Sequence, residues 1–380
     1  MEREFLIKLC RPERGLSLFT DEAKRSRRIG TVPAVPKGID WNLVSDMAEE
    51  EGLSGVVYIL IRGKEGIPPE VLEGFQNRYY TNVMNNLFLF NSLKPVLECL
   101  ESNDIIPVVF RGASLMGGVY SFFGMRSFQD IDLLIREVDL FKTINLLKKE
   151  GFYSCDPYIS VLCKAHLNID LHTDFMTYSR VKPVGLAIDT DLDSIFERAM
   201  EQEVQGLKFL TLHPEDGILS LAVHLQMHSF DRLLGFLDIA RIIDHYRDGI
   251  DWERLFERAR SMNLERTLYY SLSLMPEEWR GFDGSVIERL GPHFSCYGEE
   301  PLLGRLRKGE RISYSGDILF LLNTKGIWNK MRFLKGCLLP KEEVGLRTLF
   351  NPLLLIRFLA GRLIKIGKLW NLHAFDRVTG

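Results

Sequence analysis

Cysteine is sparse in this chain: Cys10, Cys99, Cys155, Cys163, Cys296 and Cys337 lie scattered, with no C-x-x-C step among them. That spacing gives no support to a zinc ribbon or a dithiol redox centre, and reduced thiols in a cytoplasmic setting are the expectation. No stretch of eighteen uncharged apolar residues occurs, so a membrane-spanning helix is not expected. The opening Met1–Phe5 mixes acids into a short apolar run and lacks the basic-then-apolar order of a secretory leader. Positive charge is not in surplus either. With 48 Lys+Arg against 51 Asp+Glu and a net charge of -3, the chain has no general nucleic-acid-binding surface, although a local basic patch is compatible with that balance. No heptad pattern marks an oligomer interface.

What remains is an ordinary globular composition, 46% hydrophobic and 26% charged over 380 residues, long enough for two or three structural units. Residues 1–100 read as an N-terminal helical region with a polar, basic stretch at Asp21–Gly30 and a loop marked by Pro33, Pro36 and Gly38. Residues 101–190 change to short apolar runs separated by helical stretches such as Leu140–Glu150, the pattern of a small catalytic sheet. Residues 191–380 read as a C-terminal helical region, with helices returning from His213. The fold expected is α+β: a small mixed-sheet module between two helical regions. One echo stands out, because Gly38-Ile-Asp-Trp41 and Gly249-Ile-Asp-Trp252 are followed at equal offsets by Ala48 and Ala259, Leu53 and Leu264, Tyr58 and Tyr269. It predicts two similar helical hairpins, each begun by an aspartate cap, Asp40 or Asp251.

Chemistry concentrates in the middle third. The run Ile105–Phe110 reads as a buried strand that Arg111-Gly112 turns into a helix beginning near Ala113 or Ser114, where backbone N–H groups can hold phosphate oxygens. Gly112 permits positive φ and close approach of a ligand, and Ser114 offers a hydroxyl. Downstream, Ile131, Leu133 and Ile135 alternate with Asp130, Asp132 and Leu134, so both carboxylates fall on one face of a strand. Crowded carboxylates are costly without a counter-charge, and a hard, oxygen-seeking cation such as Mg²⁺ supplies it. In Asn168–Asp174 the polar side chains again share a face, so a neighbouring strand would bring Asp170 beside the first pair. Three carboxylates can hold two ions about 3.5–4 Å apart, the arrangement that stabilises in-line displacement at phosphorus. Arg111 and Arg126 would then add positive charge beside a leaving pyrophosphate.

The segments Val108–Leu115, Arg126–Ile135 and Asn168–His172, with Leu212–Gly217, His224, Phe236–Ala240 and Ile250–Trp252 beyond them, resemble the uncharacterised nucleotidyltransferase family of the polymerase-beta-like superfamily. The resemblance covers most of the chain. It implies a nucleoside triphosphate donor, two Mg²⁺ ions (or Mn²⁺) and metal-ligand roles for Asp130, Asp132 and Asp170, with Asp170 helping to activate the acceptor. Arg111, Gly112, Ser114 and Arg126 would bind the nucleotide. This chain has Ala113 where the superfamily's turn places serine directly after glycine, and Arg111 where the family often has lysine. The acceptor implied is a small molecule, a sugar or a protein rather than a nucleic acid. Two other readings stay open: a noncatalytic nucleotide sensor or scaffold on the same fold, and a metal-dependent nucleotide-sugar glycosyltransferase, which leaves the glycine turn and third carboxylate unexplained.

Other candidates are weaker. His172 shares a face with Asp170, and His224 and His228 lie four apart on a helix, so His172 and His224 are candidates for lining an acceptor pocket. Asp238, Arg241 and Asp244 read as a solvated or paired helix face. From Leu353 to Trp370 the chain is apolar except for Arg357, Arg362, Lys365 and Lys368, which fall on one side of a helix. That basic amphipathic stretch admits a core helix, a basic wall toward nucleotide or acceptor, and a weak contact with an anionic membrane surface.

Overall fold

The computed structural model describes residues 1–12, 33–154, 160–175, 191–291 and 299–338. The basic stretch at Asp21–Gly30 and the amphipathic segment Leu353–Trp370 lie outside them. Among the described residues, no helix is long and apolar enough to cross a membrane.

Seven strands form one mixed sheet in the order β3-β4-β5-β2-β1-β7-β6. Its centre is made of β1 (Val108–Phe110), β2 (Ile131–Leu134) and β5 (Leu167–His172). The first two are buried along their whole length, as expected of strands rich in Val, Ile and Leu that are covered on both faces. β2 runs antiparallel to β1 and parallel to β5, so the sheet is mixed, as expected for this α+β fold. Strands β3 (Tyr153–Ser154) and β4 (Val161–Lys164) extend one edge.

The other edge extends past the limit of 190 expected for the module. β6 (Met200–Val204) and β7 (Leu207–Thr211) form a hairpin, and β7 pairs in parallel with β1. Gln205 and Gly206 both take positive φ, 53° and 76°, the backbone of a two-residue turn matched to strand twist. Another correction concerns the thiols. Cys10 and Cys99 are free, but Cys163 on β4 is disulfide-bonded. Spacing along the chain does not report which thiols a fold brings together.

Helices α1 (Glu2–Leu9), α2 (Trp41–Glu50), α3 (Ser54–Ile61) and α4 (Pro69–Glu101) precede the sheet. After β2 and β5 come α5 (Leu140–Lys149) and α6 (Leu192–Arg198), and after β7 come α7 (Pro214–Met227), α8 (Leu233–Tyr246), α9 (Trp252–Ser261) and α10 (Glu265–Leu274). Four short helices end the described chain: α11 (Ser285–Leu290), α12 (Glu300–Arg307), α13 (Ser315–Asn323) and α14 (Ile327–Leu338).

The sequence echo is a structural repeat. Asp40 accepts from the N–H groups of Asn42 and Leu43, and Asp251 accepts from that of Arg254. The corresponding turns place Gly52 and Asn263 at positive φ, 74° and 56°, after which the next leucine N–H returns to the repeat alanine's carbonyl: Leu53 to Ala48 at 2.7 Å, Leu264 to Ala259 at 2.6 Å. All four of these apolar residues are fully buried. Hairpin α2–α3 packs on α4, and α9–α10 packs on α7. The start of α7 is further tied by buried ion pairs: Arg198 reaches Glu215 at 2.6 Å and Asp216 at 3.2 Å, and Arg258 also binds Asp216. The His213-Pro-Glu-Asp216 segment thus joins α6, α7 and α9.

On the other side, α4 grips the loop that leads to β2. Asn86 is fully buried and its amide donates to the carbonyls of Phe123 at 2.6 Å and Arg126 at 2.7 Å, while Asn82 donates to that of Gly124 at 3.2 Å. Contact with α3 is equally close, since a Cβ added at Gly55 would lie 1.9 Å from the Gly124 oxygen. Gly55→Ala is therefore expected to destabilise the protein by about 1–3 kcal/mol through overpacking. Gly304→Ala is the contrast: nothing lies within 4 Å of an added Cβ on α12, and the change should stabilise by about 0.5–1 kcal/mol. Urea unfolding midpoints of the two variants check both signs.

Candidate active site

Strand register brings the acidic residues together. Asp132 of β2 is flanked by Phe110 on β1 and Asp170 on β5, so the two carboxylates lie side by side on adjacent strands. Asp130 immediately precedes β2. Both protein contacts to Asp132 fall on one oxygen: Arg111 Nη1 donates to Oδ1 at 3.0 Å, and His172 Nε2 stands 2.7 Å from the same atom. Its Oδ2 has no hydrogen-bond partner among the described residues. Arg111 Nη2 also donates to the Phe175 carbonyl at 2.6 Å, and the guanidinium lies over the Phe110 ring at 4.7 Å. His172 sits edge-on to that ring, centroids 5.0 Å apart.

The turn differs from its expected form. Positive φ falls on Arg111, at 57°, whereas Gly112 is right-handed at φ -44°. An arginine in the left-handed region carries a steric penalty, offset here by the contacts that hold its side chain. Glycine is required at 112 by space, because a Cβ would come within 2.7 Å of Arg126 Nη1 and 2.9 Å of Phe128 Cβ. The expected helix shrinks to one 3₁₀ turn, Ala113–Leu115. Ser114 donates its hydroxyl to the Arg111 carbonyl at 2.9 Å, which closes the turn, and Ala113 and Ser114 keep first-turn N–H groups without a backbone acceptor among the described residues.

Electrostatics show what the cluster lacks. Burial, then the Asp132 carboxylate, pushes Asp130 up to about 6. Burial, then Asp130 and Asp132, pushes Asp170 up to about 7. Burial acts on Asp132 in the same direction, but Arg111 and the His172 hydrogen bond outweigh it and hold this carboxyl well below the usual range. His172 is itself lowered by burial against the pull of Asp132. His224 is lowered well below its ordinary value by burial, Arg111 and His228. Its Nδ1 is buried with no hydrogen-bond partner among the described residues, and its ring lies 4.5 Å from that of His228.

One negative charge is thus fixed while two neighbouring carboxyls resist ionisation, the condition a divalent cation relieves. Donor atoms of Asp132, Asp170 and His172 lie within 4.8 Å of one another, an oxygen and nitrogen set that fits such an ion. The sequence put Asp130 in this trio; the converging donors bring in His172, while Asp130 stays within electrostatic reach.

Arg126 is committed elsewhere than expected. Its Nε and Nη2 meet both oxygens of Asp238 on α8 at 2.7–3.1 Å, and the Tyr120 hydroxyl donates to Asp238 at 2.8 Å. Asp238 is 2% exposed, so of the two alternatives, a solvated or a paired helix face, the structure gives the paired one for Asp238, and it is buried. The sequence signal was its place inside the apolar stretch Phe236–Ala240, where an acid needs a partner. Nothing local names Arg126 as that partner.

Residues 37–279 match the family model described as Uncharacterised nucleotidyltransferase. The match spans more than half the chain and takes in both hairpins, the sheet and every residue of the carboxylate cluster. The chain belongs to that family of nucleotidyltransferases. No match was found among curated proteins or among solved structures.

Removing Asp238 leaves the Arg126 guanidinium buried and unpaired. Asp238→Ala is expected to cost about 3–5 kcal/mol, read as a fall in unfolding free energy by chemical denaturation.

Proposed function

We propose that the protein transfers a nucleoside monophosphate from a nucleoside triphosphate to an acceptor nucleophile, with release of pyrophosphate. The observation that carries this reading is the convergence of Asp132, Asp170 and His172 donor atoms within 4.8 Å, on strands beside the Arg111–Ser114 turn. Asp132 and Asp170 would hold a divalent cation, Mg²⁺ or Mn²⁺, and with Asp130 the carboxylates suffice for two. When bound, such ions neutralise phosphate charge and favour displacement at phosphorus.

The chain's own groups do the rest. Asp170, only partly exposed beside Asp132, accepts the proton of the acceptor hydroxyl at a carboxylate oxygen. The new oxygen–phosphorus bond forms at the α-phosphorus as the bond to the pyrophosphate oxygen breaks. N–H groups of Ala113 and Ser114 bind phosphate oxygens, and Arg126 Nη1, beside Gly112, adds positive charge. Arg111 acts as a clamp on Asp132 Oδ1 and leaves Oδ2 for the ion. His172 orients the same carboxylate, and His224 lies within the electrostatic reach of Arg111 and Asp132, where it can line the acceptor side.

The Arg111–Asp132 ion pair also favours a second reading, a noncatalytic nucleotide sensor, because a guanidinium already answers the charge of the central carboxylate. Calorimetry with Mg²⁺ and each of ATP, GTP, CTP and UTP tests the donor site. Metal-dependent binding of one nucleotide is expected, lost in Asp132→Asn with Asp170→Asn. Binding of none sinks the assignment. Pyrophosphate release with a panel of hydroxyl acceptors then separates transfer from sensing: release by the wild type and none by Asp132→Asn is the result expected of an enzyme.

A further inference from the structure

Asp238, Arg241 and His245 fall on one stripe of α8, three and four residues apart. The carboxylate of Asp238 is fully engaged by Arg126 and Tyr120. Arg241 is different. It is 6% exposed and stacks over the Tyr120 ring at 4.9 Å, yet no carboxylate lies within ion-pair distance among the described residues, and its Nε is buried without an acceptor. Cys10 lies within its electrostatic reach, but burial pushes that thiol up to about 12, so it stays uncharged and gives no counter-ion. The cluster therefore sets two guanidinium groups against one carboxylate.

One turn further, His245 Nδ1 is also buried with no hydrogen-bond partner among the described residues. Its Nε2 faces the backbone of Gly118, where an added Cβ would lie 3.8 Å from both His245 Nε2 and Gln202 Nε2. Natural cores rarely leave a guanidinium desolvated and unpaired, because the charge loses its hydration and gains nothing in return. A face that presents such a group beside an imidazole that packs edge-on to Tyr246, with a buried Nδ1 that has no hydrogen-bond partner among the described residues, and beside a glycine backbone is suited to an oxyanion. It is also joined to the catalytic turn, since Arg126 links Asp238 to Gly112.

We propose that Arg241, with His245 one turn away, forms an anion subsite that binds a phosphate-type oxyanion of the substrate. The planar fork of Arg241 provides paired donors for two oxygens, with its apolar face supported by Tyr120. The oxyanion belongs either to the terminal phosphates of the nucleotide or to an anionic acceptor; that the group is part of a substrate rests on the nucleotidyl-transfer reading, whereas the binding of an anion does not.

The test uses the full chain and inorganic pyrophosphate as probe, titrated in a chelator so that the carboxylate centre takes no part. Wild-type protein should bind it. Arg241→Met should weaken binding at least tenfold and Arg241→Lys by less, because lysine keeps the charge without the fork. Arg254→Met, an exposed arginine on α9, should change nothing. The unfolding midpoint gives a second readout: a residue held for an anion leaves it unchanged or raised in Arg241→Met, since an unpaired buried charge is removed. Should that variant fail to fold, Arg241→Lys carries the comparison. Repeating the titrations with Mg²⁺ and the nucleoside triphosphates locates the source. A parallel loss of nucleotide affinity assigns the subsite to the nucleotide, and unchanged nucleotide affinity assigns it to the acceptor. Pyrophosphate binding that is equal in wild type and Arg241→Met, or absent from the folded wild type, overturns the proposal. Lack of metal-dependent nucleotide binding alongside Arg241-dependent pyrophosphate binding would fault the transfer reading and leave the subsite standing.

Discussion

A single oxygen, Asp132 Oδ1, is the point on which the centre of this fold depends. It lies on the middle strand and meets a guanidinium from the end of β1 and an imidazole from the end of β5, so three strands are joined by side chains as well as by their ladders. A carboxylate this far from water needs such partners to stay ionised. The same contacts explain the backbone of Arg111, which takes a left-handed conformation that an arginine otherwise avoids. In that conformation the side chain can turn back over Phe110 toward Asp132. The strained residue, the buried carboxylate and the tight turn at Gly112 form one arrangement.

The helical regions act on this centre through the loop between the 3₁₀ turn and β2. That loop carries Arg126 and ends at Asp130, and it is held from opposite sides. On one side Asn86 of α4 takes two of its carbonyls and Gly55 of α3 admits its backbone. On the other, Asp238 of α8 binds Arg126 through both oxygens. The repeat of hairpins fits this division, since α2–α3 supports α4 and α9–α10 supports α7, the helix that carries His224. Precision at a catalytic centre requires that its supporting groups be fixed in turn. Here the supports come from helices far away in sequence.

How much of this could be read in advance follows from the range of the interactions. β1 was legible as a continuous apolar run and β2 and β5 by their local alternation, and so was the approach of Asp170 to Asp132, which needs only that the two alternating strands be neighbours. The aspartate-capped repeat was legible for the same reason: caps and turns are decided within a few residues. β6 was not, because Met200-Glu-Gln-Glu-Val204 is a charged edge strand whose partner lies across a turn at Gln205-Gly206. The positive φ at Arg111 was hidden by the neighbouring glycine, the residue that usually takes it. Asp238 was legible only as a solvated or paired helix position, because its partner stands 112 residues away.

The ion pair between Arg111 and Asp132 raises a question that geometry answers. A guanidinium on a metal-ligand carboxylate competes with the metal if both need the same oxygen. They do not need the same oxygen here. Arg111 and His172 both act on Oδ1, and Oδ2 is left for another partner. A carboxylate fixed at one oxygen loses little further freedom when the other is engaged, so the cost of ordering a ligand is met during folding and not during binding. Charge balance points the same way. Even with Arg111 answering Asp132, burial and then carboxylate repulsion push both neighbours upward, Asp130 against Asp132 and Asp170 against Asp130 and Asp132. A divalent ion added to this group removes that repulsion without displacing the clamp. The arginine at 111 therefore leaves Asp132 Oδ2 open, as the proposed metal-dependent reading requires.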